Sequence, residues 1–375
     1  MESSPWIAAH PIRPEQLLFR SARAGLFLPG DIVYRMGRDA MFHGLKALMA
    51  VDPRRTVLVP SFHCSSQIDA AQAAGLKVAF YPVRVDATVD PEQVAARITD
   101  DVLAAMVIHY YGWPLQLDGL TWVTRAREVA LFEDCALALF STHDEQPVGS
   151  FGALSIFSLR KSLPVLDGGI LRFNRPDLTA APPARVRSSM RPALGALARA
   201  LGARRLVQWG KRLLGGGGDG AHESMEEAAP TGEPGPREPD FDVELSDLGI
   251  SRFSRYIARR AHAEQVVERR RQAYQQLDAM LREHPRYRPL FRELSPGVCP
   301  LSLVIVHPRR DAVEAALLER NVETYCFGRV PHPALDRTQH PETAVLCDQT
   351  LALPVHQDLT ATELSRVGRA VLDVL

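Results

Sequence analysis

Leu131-Phe132-Glu133-Asp134-Cys135-Ala136 closes an apolar run with two acids, and Phe157-Ser158-Leu159-Arg160-Lys161, then Asp167-Gly168-Gly169, follow it downstream. Val129 to Glu133 is predicted to be a buried strand with Asp134 at its end. Ser155 to Ser158 and Gly169 to Phe173 are predicted as two further short strands. A lysine two or three residues past a strand end projects into the cleft beyond the sheet, and an aspartate ending a neighbouring strand faces it. Upstream, Thr56 to Pro60 and Lys77 to Val83 are strand-like, separated by a helix from about Ser66 to Ala74 that stops at Gly75. Asp90 and Pro91 supply the N-cap and first turn of a helix reaching Ile98. Val102 to His109 is another apolar strand, and a helix around Leu117 to Glu128 precedes Val129. Strands alternating with helices of this length imply an α/β fold with a mostly parallel sheet covered on both faces. In such sheets ligands bind at the carboxyl ends of the strands.

The pattern changes after residue 184. Arg185 to Leu214 carries eight basic residues and no acid, with Leu194, Leu197, Leu201, Val207, Trp209 and Leu213 at roughly helical spacing. Residues 215–240 are rich in Gly and Pro and hold seven acids, a composition too polar to bury a core, and are expected to form a flexible loop. A long polar helix is then expected from about Asp247 to Glu283. Leu301 to Val306 and Leu351 to Val355 are expected strands. Asp311 to Arg320, with Asn321 as its C′ residue, and Thr360 to Leu375, capped by Thr360, are expected helices. The organisation is thus a large domain (1–184), a basic amphipathic segment (185–214), an acidic loop (215–240), and an interdomain helix with a smaller α+β C-terminal domain (241–375).

The chain has 375 residues, with 44 basic and 44 acidic side chains, so its net charge is zero. Nucleic-acid binding, which needs clustered positive charge, is not expected. The five cysteines are scattered without a CxxC pair, and the histidines lack i,i+4 partners, so neither a disulfide framework nor a metal site is indicated. Gly215 to Gly218 is followed by no GK[ST] and is not a phosphate loop. No apolar run is long enough to span a membrane and the N-terminus lacks a signal-peptide core, so a cytoplasmic protein is expected. Only four lysines are present, Lys46, Lys77, Lys161 and Lys211, and arginine cannot substitute for lysine in imine chemistry. A lysine and an aspartate in one cleft are what pyridoxal phosphate requires. Lysine holds the aldehyde, and the carboxylate keeps the pyridine nitrogen protonated. Ser158 is placed to donate to the cofactor phosphate. The plainer alternative for these residues is a surface lysine in a loop and a helix-capping aspartate.

At these residues the chain resembles the DegT/DnrJ/EryC1/StrS aminotransferase family, sugar aminotransferases of pyridoxal-phosphate fold type I (aspartate-aminotransferase-like). Met36-Gly37-Arg38-Asp39-Ala40-Met41 resembles the family's phosphate-cradling turn and helix, whose N-terminal N–H groups suit an anion. Val57 to Phe62 and Val107-Ile108-His109-Tyr110-Tyr111-Gly112 resemble its strand ends. Glu133-Asp134-Cys135-Ala136 is similar to its cofactor-nitrogen motif, Val148-Gly149-Ser150-Phe151-Gly152 to its Gly-rich hairpin, and Ser158 to Lys161 with Asp167 to Gly169 to its lysine segment. Leu351-Ala352-Leu353-Pro354-Val355-His356 resembles its C-terminal signature. The resemblance implies that Lys161 bonds the cofactor aldehyde and shuttles a proton, and that Asp134 pairs with the ring nitrogen. It implies that Gly37, Arg38 and Ser158 hold the phosphate.

Three positions depart from the family pattern. The glutamine usual three residues after the aspartate is Leu137. The ring-stacking position falls on Cys64, with Phe62 and His63 beside it, and the sequence leaves open which of the three covers the ring. A partner-subunit asparagine that reaches phosphate aligns with Asp242. His63 and His109 are also candidates for a catalytic role, although a lone histidine at a strand end is more often structural, and the same holds for His332 and His356. The resemblance implies a homodimer that takes an amino group from an amino acid, glutamate first, to a keto group on a nucleotide-linked sugar, in the making of a polysaccharide or a glycosylated metabolite. The alternatives are another pyridoxal-phosphate reaction, such as dehydration, and a non-catalytic scaffold. The family's sugar dehydratases carry His where Lys161 stands. The basic segment fits a weak peripheral membrane contact; packing on the protein or pairing with the acidic loop are the competing readings.

Overall fold

The computed structural model describes residues 26–186 and 239–375. The basic and acidic segments expected over 185–240 therefore lie outside the described residues, apart from 185–186 and 239–240.

The chain begins with β1 (Ile32–Tyr34) and α1 (Gly37–Val51), then β2 (Thr56–Pro60), α2 (Ser65–Ala74), β3 (Lys77–Tyr81), α3 (Pro91–Ala95), β4 (Val102–Ile108), α4 (Asp118–Ala126) and β5 (Ala130–Asp134). A small hairpin, β6 (Thr142–His143) and β7 (Gln146–Pro147), precedes β8 (Leu154–Ser158), the short α5 (Leu159–Ser162), β9 (Gly169–Phe173) and β10 (Arg185–Val186). With β11 (Leu248–Gly249), the larger strands form one sheet in the order β10-β11-β1-β9-β8-β5-β4-β2-β3. β3, β2, β4, β5 and β8 run parallel. β9 adds antiparallel to β8, and β1 pairs antiparallel with β9 and so runs in the direction of the block. All residues of β4, β5 and β8 are buried, as a parallel sheet covered on both faces demands. Met41, Leu45 and Leu48 of α1 pack on one face with Leu154, Ile156 and Leu171. Val94, Leu117 and Leu120 cover Leu58, Val102 and Val107 on the other.

The expected punctuation is present. Gly75 ends α2 in the left-handed region at φ 97°. Asp90 caps α3, its Oδ1 accepting the Glu92 N–H at 3.0 Å, with Pro91 in the first turn.

The long helix expected over 247–283 is instead three elements. β11 pairs Gly249 with Tyr34 of β1, Ser251 caps α6 (Arg252–Ala258), and α7 (Ala263–Leu281) starts after a break at 259–262. The break lets Ile257 and Ala258 bury against Val33, Leu159 and Ile170, while Leu277 and Leu281 join a different core. Tertiary packing overrides a helix-compatible composition here. That second core holds the antiparallel pair β12 (Ser302–Val306) and β13 (Thr350–Pro354) with α8 (Arg310–Glu319) and α10 (Ala361–Val374), and α9 (Pro341–Gln349) leads into β13. Asn321 follows α8 at φ 59°. Thr360 and Glu363 cap α10 reciprocally: the Thr360 N–H donates to Glu363 at 2.8 Å and the Glu363 N–H to Thr360 at 3.2 Å. Among the described residues, no helix is long and apolar enough to cross a membrane.

The chain runs from β2 outward to β3, then returns to the other side of β2 as β4 and continues to β5 and β8. This reversal opens a crevice beyond the carboxyl ends of the parallel strands, the usual ligand position in such sheets. Cys64 follows β2, His109 follows β4, Asp134 ends β5, and Lys161 follows β8.

Candidate active site

Asp134 is 2% exposed at the last position of β5. Its Oδ1 accepts the Ala136 N–H at 2.9 Å, and its Oδ2 accepts the Gln67 side-chain amide. Burial pushes its pKa up, against the opposing pull of the Lys161 charge, the Ala136 and Gln67 donors and His109. Lys161 sits in α5, one turn beyond the end of β8, and keeps part of its surface open. Burial of its ammonium lowers its pKa; the Cys64 thiol and the Asp134 carboxylate oppose this, and Arg160 adds to it. The structure thus brings Lys161, Asp134 and Cys64 into electrostatic reach of one another. Of the other described lysines, Lys46 is exposed and Lys77 lies at the surface beside Asp101. Lys211 lies outside the described residues.

Gly37 and Ser158 meet across the strand end. A Cβ on Gly37 would lie 3.6 Å from the Ser158 Cβ and from the Phe157 carbonyl. The N–H groups of a helix's first turn have no intrahelical acceptor, and the N-terminus carries partial positive charge. The start of α1 beside the Ser158 hydroxyl is therefore a suitable anion cradle. Arg38, the next residue of α1, has its guanidinium 2.7 Å from Asp240. Asp39 caps its own helix, accepting the Met36 N–H at 3.0 Å. Asp242 caps a short turn, accepting the Glu244 N–H at 2.8 Å.

Of the three residues beside the ring-stacking position, two are committed to packing. Phe62 is fully buried against Tyr110 and Phe327. His63 is fully buried and stacks on Phe80, its Nδ1 3.2 Å from the Pro60 carbonyl and its Nε2 accepting the His332 N–H at 3.3 Å. Burial pushes the His63 imidazole down to about 4, which keeps it neutral. Cys64 is half-buried at the N-cap of α2, its Sγ 3.3 Å from Ser66 Oγ.

Two buried side chains that bond to the site's elements, Gln67 and Glu133, lay outside the sequence-based assignment. Gln67 occupies the third position of α2, the spacing of a capping box from Cys64, and that spacing was the available signal. Glu133 points to the opposite face of β5 from Asp134, as strand alternation requires. It is fully buried and accepts from His109 Nε2 at 3.2 Å, Gly149 N–H at 2.8 Å, Phe151 N–H at 2.8 Å and Gly152 N–H at 2.6 Å. Burial alone would raise its pKa, but these donors outweigh burial and hold it below the usual carboxylate range. The His109 Nδ1 accepts the Leu115 N–H at 3.0 Å, so the network assigns the ring proton to Nε2. His109 therefore braces the Gly-rich hairpin through Glu133. Cys135 lies near both, yet the Glu133 oxygens are already taken up by these donors.

The residues present fit pyridoxal phosphate: an amine of lowered pKa, a buried carboxylate facing it, and a helix N-terminus beside a hydroxyl. Comparison with known proteins agrees with that chemistry. The chain is 35% identical over 103 residues to the L-glutamine:2-deoxy-scyllo-inosose aminotransferase of Micromonospora echinospora, a match covering 27% of this chain and 24% of that protein. It is 24% identical over 380 residues to the dTDP-4-dehydro-2,3,6-trideoxy-D-glucose 4-aminotransferase of Saccharopolyspora spinosa, covering 95% of this chain and 84% of that one. The chain thus spans only about a quarter of the first of these two relatives. In structure it is similar to the aminotransferase TlmJ from Streptoalloteichus hindustanus, with a TM-score of 0.64, 24% identity, and coverage of 92% and 85% of the two chains. Residues 32–186 and 256–372 match one family across most of the chain, and on that match this protein belongs to the DegT/DnrJ/EryC1/StrS aminotransferase family.

Proposed function

We propose that this protein is a pyridoxal-phosphate-dependent aminotransferase that moves an amino group from an amino acid to a keto group on a nucleotide-linked sugar. The observation that carries the reading is the convergence of Lys161 and Asp134 at neighbouring strand ends, each with its pKa displaced by burial and partly held back by the other's charge. Titratable groups shifted by burial and facing a specific charge partner in a cleft are candidates for a working site. The names of two relatives point to glutamine as a donor and to a dTDP-linked keto sugar as an acceptor. Glutamate remains the first donor to test, since it is the family expectation. The working form is a cytoplasmic homodimer.

When bound, pyridoxal phosphate supplies an aldehyde and an electron-accepting ring. The lowered pKa of Lys161 raises the fraction of neutral amine at working pH, the form able to attack a carbonyl and to take up a proton. Asp134 offers a carboxylate whose two fixed donors favour its charged form, the form that would keep a bound ring nitrogen protonated. Gly37 and Arg38 at the start of α1, with Ser158, would hold the phosphate. Cys64, half-buried at the N-cap of α2 and in electrostatic reach of Lys161, would lie against the ring. The dehydratase alternative is disfavoured because Lys161 stands at the position where those enzymes carry His.

The test is the absorption spectrum of protein reconstituted with pyridoxal phosphate. A band near the visible edge that shifts on adding glutamate or glutamine supports transamination. A protein that acquires no band after reconstitution is a scaffold, and the reading fails.

A further inference from the structure

We propose that Gln67 is a positioning residue of the active site: its side-chain amide clamps the Asp134 carboxylate and the Cys64 start of α2 in one geometry. This inference rests on the pyridoxal-phosphate reading above.

Gln67 is 7% exposed. Its Oε1 accepts the Cys64 N–H at 2.9 Å, and its Nε2 donates to Asp134 Oδ2, a residue 67 positions away. An ordinary capping-box glutamine only closes onto its own N-cap. Here one end does that and the other reaches across the crevice. The orientation of the amide follows from its partners: the Cys64 N–H can only donate, and an ionised carboxylate can only accept. Leu137 offers nothing comparable, being buried among Ile108, Tyr110 and Phe327. Gln67 is thus the side-chain amide that orients Asp134, with the Ala136 N–H on the other oxygen. The charged or titratable groups facing Asp134 are Lys161 of α5, His109 beyond β4, and the Tyr110 and Cys135 side chains.

Two substitutions separate positioning from packing. Gln67→Leu removes both ends of the clamp. Gln67→Glu keeps the size but sets a second carboxylate against Asp134, so that the pair shares one proton. While that proton is held, the introduced carboxyl donates to Asp134 much as the amide does; once it leaves, the two repel. The readouts are the dissociation constant of pyridoxal phosphate, by absorbance titration of the cofactor-free protein, and the melting temperature of that cofactor-free protein, both across a pH series. Gln67→Leu is expected to weaken cofactor binding tenfold or more at every pH. For Gln67→Glu, the ratio of its dissociation constant to the wild-type value is expected to rise by more than about tenfold between roughly pH 5.5 and 8. Its cofactor-free melting temperature should fall progressively below wild type over the same range, because a shared proton held more tightly in the folded state stabilises only until it is lost. Wild-type affinity in Gln67→Leu, or a Gln67→Glu difference that is flat with pH, overturns the clamp. Wild-type protein that binds no pyridoxal phosphate defeats the functional reading instead, and the cofactor-free melting difference still judges the clamp.

Discussion

Asp134 is held in a compromise between desolvation, which favours the neutral acid, and the Lys161 charge with two N–H donors, which favour the carboxylate. Burial wins, so the folded pKa lies above the unfolded one. The sign of its contribution follows. The stability it lends is complete below the ordinary aspartate range and is lost as pH rises through the raised folded value. Asp134→Asn carries no such titration. The cofactor-free variant is therefore expected to melt at or above the wild-type temperature at neutral pH, and to gain on wild type as pH rises from about 4. Its turnover should fall by orders of magnitude, because the charge that stabilises a protonated pyridine is gone. Calorimetry of the cofactor-free proteins and steady-state rates check the two halves. A variant that loses stability and keeps its rate would assign the role to another acid.

At the scale of elements, the site depends on how closely α1 approaches β9. A Cβ on Gly169 would lie 2.1 Å from the Met36 carbonyl and 2.5 Å from the Gly37 nitrogen, both backbone atoms that no rotamer change can move. Gly169→Ala must therefore push the start of α1 away from Ser158. A stability loss of about 1–3 kcal/mol is expected from overpacking, read by denaturant unfolding, together with weaker phosphate and cofactor binding. Local signals made most elements legible in the sequence. The Asp90-Pro91 start, the Gly75 stop, the Asn321 terminus and the Thr360 cap each rest on chemistry within four residues, and each is present. Strand ends were legible for the same reason, which is why Asp134 and Lys161 could be named. What was not legible depends on distant partners. The break between α6 and α7 has no Gly or Pro and exists because the two halves serve different cores. The two-residue strands β10 and β11 are too short to leave a periodicity. Gln67 reads locally as a capping residue, and only the fold shows that it reaches Asp134.

Over the whole molecule, the Lys161 turn is tied to the C-terminal core by one buried cation. Arg270 of α7 is 1% exposed. It donates to Gln357 Oε1 at 2.8 Å, to the Pro300 and Leu301 carbonyls at 3.1 Å each, and to the Ser162 carbonyl at 3.2 Å. Gln357 Nε2 donates to the same Ser162 carbonyl at 3.2 Å. Ser162 follows Lys161 directly, so this network joins the Lys161 turn, α7 and the segment after β13. Arg270→Met fills the space but takes the guanidinium donor from the Pro300 and Leu301 carbonyls and from Gln357 Oε1, while Ser162 keeps the Gln357 amide; each lost donor costs about 1–3 kcal/mol. A destabilisation of roughly 3 kcal/mol or more is expected by chemical denaturation, with a weaker cofactor complex; a change under about 1 kcal/mol would mean the network is dispensable. The identity of the lysine is the point on which the functional reading turns. Protein reconstituted with pyridoxal phosphate, reduced with borohydride, digested and analysed by mass spectrometry reports it directly. The reduced cofactor is predicted on Lys161 alone, with no labelling in Lys161→Ala or Lys161→Arg; a label on Lys46, Lys77 or Lys211, or none on the wild-type protein, would contradict it.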